Sequence, residues 1–201
     1  RLSPHPPKYF LPIIMKSFVF LDLETTGTNP EVNEIIEIGA VKLDGNDERV
    51  FQSLVKPRGE LPYYITRLTG IHFNELAAAP SFSQIRQDLS EFLGNSIIIG
   101  HSVSFDLGFL TAAGLKSDNV SYDTLEIARL VLPSLPEYSL SFLSTYLEIE
   151  HLPSHRALDD AMATLQVFNK LKNKAAFLQK EELEEILRLF PSTSWSFAQL
   201  F

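Results

Sequence analysis

The sequence contains no cysteine among its 201 residues. Disulfides, cysteine-ligated zinc modules and thiol nucleophiles are therefore excluded, and cysteine usage says nothing of the compartment. Long apolar runs are missing too: no stretch reaches the roughly 18 consecutive apolar residues of a membrane span, and no membrane contact is expected. Positive charge is in deficit, with Lys+Arg 17 against Asp+Glu 25 and a net charge of −8. That excludes a broad basic face for coating polyanions, although bound cations could offset the acids locally. Internal repeats and low-complexity stretches are also lacking. What is present is the mix of a soluble globular domain with a real core, at 45% hydrophobic and 21% charged residues.

Four of the twelve prolines crowd into the first 17 residues, where they would break a signal-peptide helix. Residues 1–14 read as an extension outside the fold, with the main domain over 15–175 and a helix plus apolar tail over 176–201. The expected location is cytoplasmic.

Phe18-Val-Phe-Leu-Asp-Leu-Glu24 is a nearly continuous apolar run, the pattern of a strand buried on both faces. Turn residues at Thr25–Pro30 lead to a second strand at Ile35–Leu43. A turn at Asp44–Asp47 leads to a third near Arg49–Val55, which predicts an antiparallel meander. From Ser81 the pattern changes to alternation. A capping box opens a helix to Leu93, Ile97–Gly100 is a short buried strand, and Phe105–Ala113 is a helix stopped by Gly114. After a brief strand at Val120–Tyr122, helices are expected at Thr124–Leu132, Leu140–Leu147, Ala157–Lys172 and Glu181–Leu189. This is an α/β chain with a mixed sheet and packed helices.

Asp22 and Glu24 are acids in the most apolar strand, and at i, i+2 they share one face. Unpaired buried carboxylates cost several kcal/mol or take up a proton. Exposure at the strand end or Lys and Arg partners would relieve them, but a hard divalent cation does so more directly. Asp106 falls in the first turn of a helix after a buried strand. His155 stands just before another helix, followed by Asp159 and Asp160. Acids in a first turn commonly serve only the helix dipole. Taken together, however, Asp22, Glu24, Asp106, His155 and either Asp159 or Asp160 match the needs of phosphodiester hydrolysis: cations to hold the attacking and leaving oxygens, and a histidine to take a proton from water.

Leu21-Asp-Leu-Glu-Thr-Thr-Gly27 with Glu34-Ile-Ile-Glu-Ile-Gly-Ala40 resembles the first motif of the DEDDh 3′-to-5′ exonucleases, a family that includes the proofreading epsilon subunit of bacterial DNA polymerase III. His101-Ser-Val-Ser-Phe-Asp106 resembles the second motif, and His155-Arg-Ala-Leu-Asp-Asp160 the third. In that third motif the histidine precedes the metal-binding Asp by five positions, which selects Asp160. The resemblance covers about residues 17–173. It implies a ribonuclease H-like fold, a mixed five-stranded sheet flanked by helices. It also implies two Mg²⁺ or Mn²⁺ ions held by Asp22, Glu24, Asp106 and Asp160, with His155 as general base. Ile65-Thr-Arg-Leu-Thr-Gly70 matches the segment that grips the terminal nucleotide, Leu68 wedging against the last base and Thr69 near the terminal sugar. At Thr69 and over Leu132–Leu140 the likeness is nearer to exonuclease domains of Gram-positive polymerases and helicase-nucleases. The implied activity releases nucleoside monophosphates from a single-stranded or frayed 3′ end, DNA favoured, in proofreading or repair.

Thr25–Gly27 could bring backbone near a substrate phosphate or sugar, or be only a tight turn. Glu37 is expected to be structural, bonding N–H groups of that turn, and His72 and His101 to be ordinary polar histidines. Trp195, Phe197, Leu200 and Phe201 make an apolar end that would dock on a polymerase or helicase partner. An RNA-trimming or oligonucleotide-trimming enzyme, a catalytically unimportant binding module and a small-ester phosphatase are the rival readings. RNA and DNA are told apart at the 2′-hydroxyl, which no single residue here reports.

Overall fold

Strand β1 (Phe18–Thr25) divides its side chains between two cores. The computed structural model describes residues 17–150 and 155–175. β1 is the middle of a five-stranded sheet in the order β3-β2-β1-β4-β5. It pairs antiparallel with β2 (Ile35–Asp44), which pairs antiparallel with β3 (Asp47–Leu54). On its other side it runs parallel to β4 (Ile97–Gly100), which runs parallel to β5 (Ser121–Asp123). The sheet is therefore mixed, the meander and the alternating half meeting at β1, as the ribonuclease H-like expectation requires.

Period-two alternation sends Val19, Leu21 and Leu23 to one face, against Leu89 and Leu93 of α3 (Phe82–Leu93) and Phe109 and Leu110 of α4 (Val103–Ala112). Phe20 goes to the opposite face, against Ile127 of α5 (Thr124–Val131), Leu143 of α6 (Leu140–Tyr146) and Val167 and Phe168 of α7 (Ala157–Ala175). Full burial of each such side chain is worth about 1.5–3 kcal/mol, so both faces are firmly covered.

Residues 56–80 carry α1 and α2, two short helices that the sequence pattern does not announce, written αA (Tyr63–Thr69) and αB (Phe73–Ala78). Each is two turns or less, too short for a visible period, and prolines at 57, 62 and 80 read as loop. A small third core of Ile36, Ile65, Ile71 and Leu76 seats them on β2. α4 begins at Val103, two residues before the expected start. The expected helix at Glu181–Leu189, the apolar tail and the extension at 1–14 lie outside the described residues.

Candidate active site

The site begins where β4 ends. β4 has four residues and pairs with β1 only at Phe18, Val19 and Phe20. The outer half of β1 is therefore open on that side, at the carboxyl ends of two parallel strands, where open α/β sheets leave a crevice. Asp22 and Glu24 lie in this outer half, on the face that Phe20 turns toward α7. Both are half-buried.

Asp106 enters from α4, in its first turn, and is buried. Its carboxylate feels the backbone N–H of Leu23, at the edge of β1 that β4 leaves free. Asp123, at the end of β5, aims the start of α4. It accepts from the backbone N–H groups of Ser102 (2.9 Å) and Val103 (3.1 Å), and also caps α5 through Leu125 N–H at 2.9 Å. Ser102 there has φ of 65°, a left-handed conformation that lets the chain turn from β4 into the helix.

α7 supplies the last acid. Asp160 is buried and Asp159 exposed, so of the two alternatives Asp160 faces the sheet. The helix start sits directly on β2: a Cβ built on Gly39 would lie 2.2 Å from the backbone of Ala157 and Leu158. Gly39 is the cross-strand partner of Asp22, so the missing side chain is what lets α7 approach the acids. Glu37, with no exposed surface, clamps the same helix start. It accepts from Arg156 Nη2 at 2.8 Å and Nε at 3.0 Å, from Ala157 N–H at 3.2 Å and from Gln52 Nε2 at 3.3 Å. Its structural role is as expected, but the partner differs: it holds Arg156 and Ala157. The Thr25–Gly27 segment is held without Glu37, with Thr26 N–H donating to the Glu34 carbonyl and Thr25 Oγ1 to the Gly27 carbonyl at 2.6 Å. His155, exposed and with φ of 41°, precedes this clamp.

Ligand atoms of Glu24, His155 and Asp160 all lie within 4.8 Å of one another. The acids load one another electrostatically. Burial pushes the Asp22 carboxyl well above its ordinary value, and Asp106, Asp160 and Glu24 push it further. Burial raises Glu24 to about 8, with Asp160 next in effect. Burial also raises Asp106, against the pull of the backbone N–H groups beside it. Four carboxylates under such mutual repulsion form an oxygen-rich donor set that fits hard divalent cations. Cation binding relieves the repulsion that raises these pKa values.

Leu68 is exposed on αA, whereas Thr69 is buried, its hydroxyl donating to the Ile65 carbonyl and accepting from Ile71 N–H. His72 is exposed and caps αB. His101 is half-buried, with Nδ1 2.9 Å from Thr124 Oγ1 and Nε2 2.8 Å from the Tyr138 carbonyl, tying the end of β4 to the loop before α6. Burial lowers its pKa. Gly39, Asp123 and Arg156 are the positioning residues that motif reading passed over. A glycine inside the run Ile35–Ala40 was a legible sign of close backbone approach, and an Asp between strand and helix was a legible cap.

A mixed five-stranded sheet flanked by helices, with an acidic cleft at the ends of β1 and β4, is of the ribonuclease H-like fold class. The sequence model of the exonuclease family RNase_T matches residues 19–168, and the chain belongs to that family. It is 35% identical over 183 residues to the DNA polymerase III subunit epsilon of Aquifex aeolicus, covering 88% of this chain and 91% of that protein. It is 36% identical over 177 residues to DNA polymerase III PolC-type of Clostridium perfringens, covering 84% of this chain. The chain spans 12% of the length of that relative. Among solved structures, exonuclease X in complex with 5′ overhanging duplex DNA superposes with a TM-score of 0.67 at 21% identity, over 84% of this chain and 98% of that one. The zinc-ion-bound E. coli exonuclease I–ssDNA complex gives 0.68 at 22%, over 85% and 43%. These likenesses show the fold. By sequence the chain is related to the epsilon subunit of DNA polymerase III.

Proposed function

We propose that the protein removes nucleoside monophosphates one at a time from the 3′ end of DNA, with Asp22, Glu24, Asp106 and Asp160 holding two Mg²⁺ or Mn²⁺ ions. The observation that carries this reading is the convergence of four carboxylates from β1, α4 and α7, with His155 just before α7, on the open half of β1. When bound, the two cations supply Lewis-acid charge at the attacking and leaving oxygens of a phosphodiester. His155 takes the proton from the attacking water at a ring nitrogen. Its exposure leaves it free to reach water, while the neighbouring clamp of Arg156 on Glu37 fixes the chain beside it. Leu68, exposed on αA, wedges against the last base. Thr25, the last residue of β1 and next to Glu24, brings backbone to the terminal nucleotide. The buried hydroxyl of Thr69 shapes that segment from within.

DNA is the favoured substrate because the relatives of high identity are DNA polymerase III components. Proofreading or repair is the corresponding role, with a polymerase or helicase as the proposed partner. Residues 191–201 are the proposed contact, and the cytoplasm the proposed location.

The test is a time course on matched single-stranded DNA and RNA oligonucleotides labelled at the 5′ end, with Mg²⁺, Mn²⁺ or chelator, beside Asp22→Ala. A cation-dependent ladder shrinking by one nucleotide, faster on DNA and absent in Asp22→Ala, is the expected result. A faster RNA ladder reassigns the substrate, and full activity in Asp22→Ala overturns the mechanism.

A further inference from the structure

The whole chain is at −8, so a strand leading away from the terminal nucleotide, beyond the cations that would offset the carboxylates of the cleft, meets little positive charge and needs a grip besides its phosphates. Base faces are the alternative, since every base can stack on an aromatic ring whatever the sequence.

αA offers such a ring beside the cleft. Ile65 and Thr69, four apart, are its buried side, seated with Ile36 and Ile71. The helical period then places Tyr64 and Leu68, also four apart, together on the flank next to that side. Tyr64 is 61% exposed and Leu68 48%. The flank faces the cleft: the Tyr64 hydroxyl donates toward the Thr26 carbonyl at 3.4 Å, and Thr26 is two residues beyond Glu24. That contact is too long to hold the ring tightly. Arg67, exposed in the last turn of the same helix, adds a cation for a phosphate, whereas Arg58 on the neighbouring segment is paired with Glu34 at 2.8 Å.

We propose that Tyr64 is a nucleic-acid-binding residue, its ring stacking on an unpaired base adjacent to the terminal nucleotide, with Leu68 between the two. This rests on the exonuclease reading above and extends it. The grip is on base faces, so it is tolerant of sequence and selective for single-stranded ends.

The test compares wild type, Tyr64→Ala and Tyr64→Phe on two substrates: a 5′-labelled oligothymidylate and the p-nitrophenyl ester of thymidine 5′-monophosphate, which carries one nucleotide only. Binding of the same oligonucleotide is also measured by fluorescence anisotropy in chelator. Loss of one stacked base corresponds to roughly tenfold in affinity. Tyr64→Ala should raise KM for the oligonucleotide by about that factor and weaken anisotropy binding in parallel, while turnover of the ester is unchanged. Tyr64→Phe should stay within about twofold of wild type. Equal losses on both substrates, no loss on the oligonucleotide, or a Phe variant as poor as Ala would each overturn the assignment while leaving the exonuclease reading standing. Failure of the wild type to cleave either substrate overturns that reading and the assignment of Tyr64 with it.

Discussion

Glu24 and Glu37 are direct cross-strand partners in the β1–β2 ladder, two acids on one face of the sheet. Like charges so placed repel, and the fold treats them differently. Glu37 is buried completely and receives a guanidinium, a backbone N–H and an amide. Glu24 is left among other acids, raised to about 8 by burial and by Asp160. One acid is satisfied by partners within the chain, and the other is left facing its fellow acids.

Arg156→Ala should be destabilising because it strands Glu37 in the interior. Leaving a buried acceptor short of a partner costs about 1–3 kcal/mol, more for a charged group; the Arg156 side chain is itself 37% exposed, and the bonds from Ala157 and Gln52 remain. Adding Glu37→Gln to Arg156→Ala should recover part of the loss. Urea unfolding of the single and double variants measures this, and a double variant no more stable than the single contradicts it.

Gly39→Ala should displace the start of α7, since backbone atoms of Ala157 and Leu158 occupy the space its Cβ needs. Overpacking of this kind costs about 1–3 kcal/mol. A shift near 1 Å in Asp160 and His155 should lower nuclease turnover by about 10²-fold. Thermal unfolding and a single-turnover assay separate the two effects.

His155→Ala should leave the thermal midpoint nearly unchanged, because the side chain is exposed. Turnover should fall by about 10²–10⁴, the range for losing a general base. A variant retaining most of its rate would remove His155 from the mechanism.

The metal-free protein should lose stability as pH rises from about 4.5 to 8, the interval between the ordinary value of Glu24 and its raised one. A carboxyl with a raised folded pKa binds more protons folded than unfolded across that interval, so stability falls with increasing pH. Asp22 and Asp106 are raised in the same direction. Thermal midpoints in chelator should therefore decline across this range, less steeply in Glu24→Gln, and Mg²⁺ should offset the decline most at the alkaline end. A chelated protein more stable at pH 8 than at pH 5 would contradict the charge cluster.

Asp123→Ala should free the N–H groups of Ser102, Val103 and Leu125 together. Loss of a helix cap costs about 0.5–2 kcal/mol. The start of α4 should loosen, and with it Asp106, so turnover should drop more than substrate binding. Asp123→Asn, which keeps acceptor oxygen, should restore part of both.

Much of this arrangement was legible in the sequence. The strand at Phe18–Glu24 was visible because its apolar run left Asp22 and Glu24 anomalous, and the mixed sheet followed from the switch between short turns and alternating helices. The choice of Asp160 over Asp159 needed the motif spacing, since both lie in the first turn of α7, and burial now separates them. αA and αB were illegible because two turns give too little periodicity, and their fixing residues, Ile65 and Leu76, pair with a strand far back in the chain. The partner of Glu37 was misread for the same reason: Arg156 is 119 residues away, a separation no local pattern reports.

The order in which the acids occur along the chain has a consequence of its own. β1 carries two of them near the start of the fold, α4 brings the third, and Asp160 arrives only with α7. The electrostatic cluster therefore does not exist in any shorter stretch that folds first. Until α7 packs, the half-built sheet has neither the full charge of the cluster nor the histidine beside it. Completion of the cluster is therefore a report that α7 has closed over Gly39.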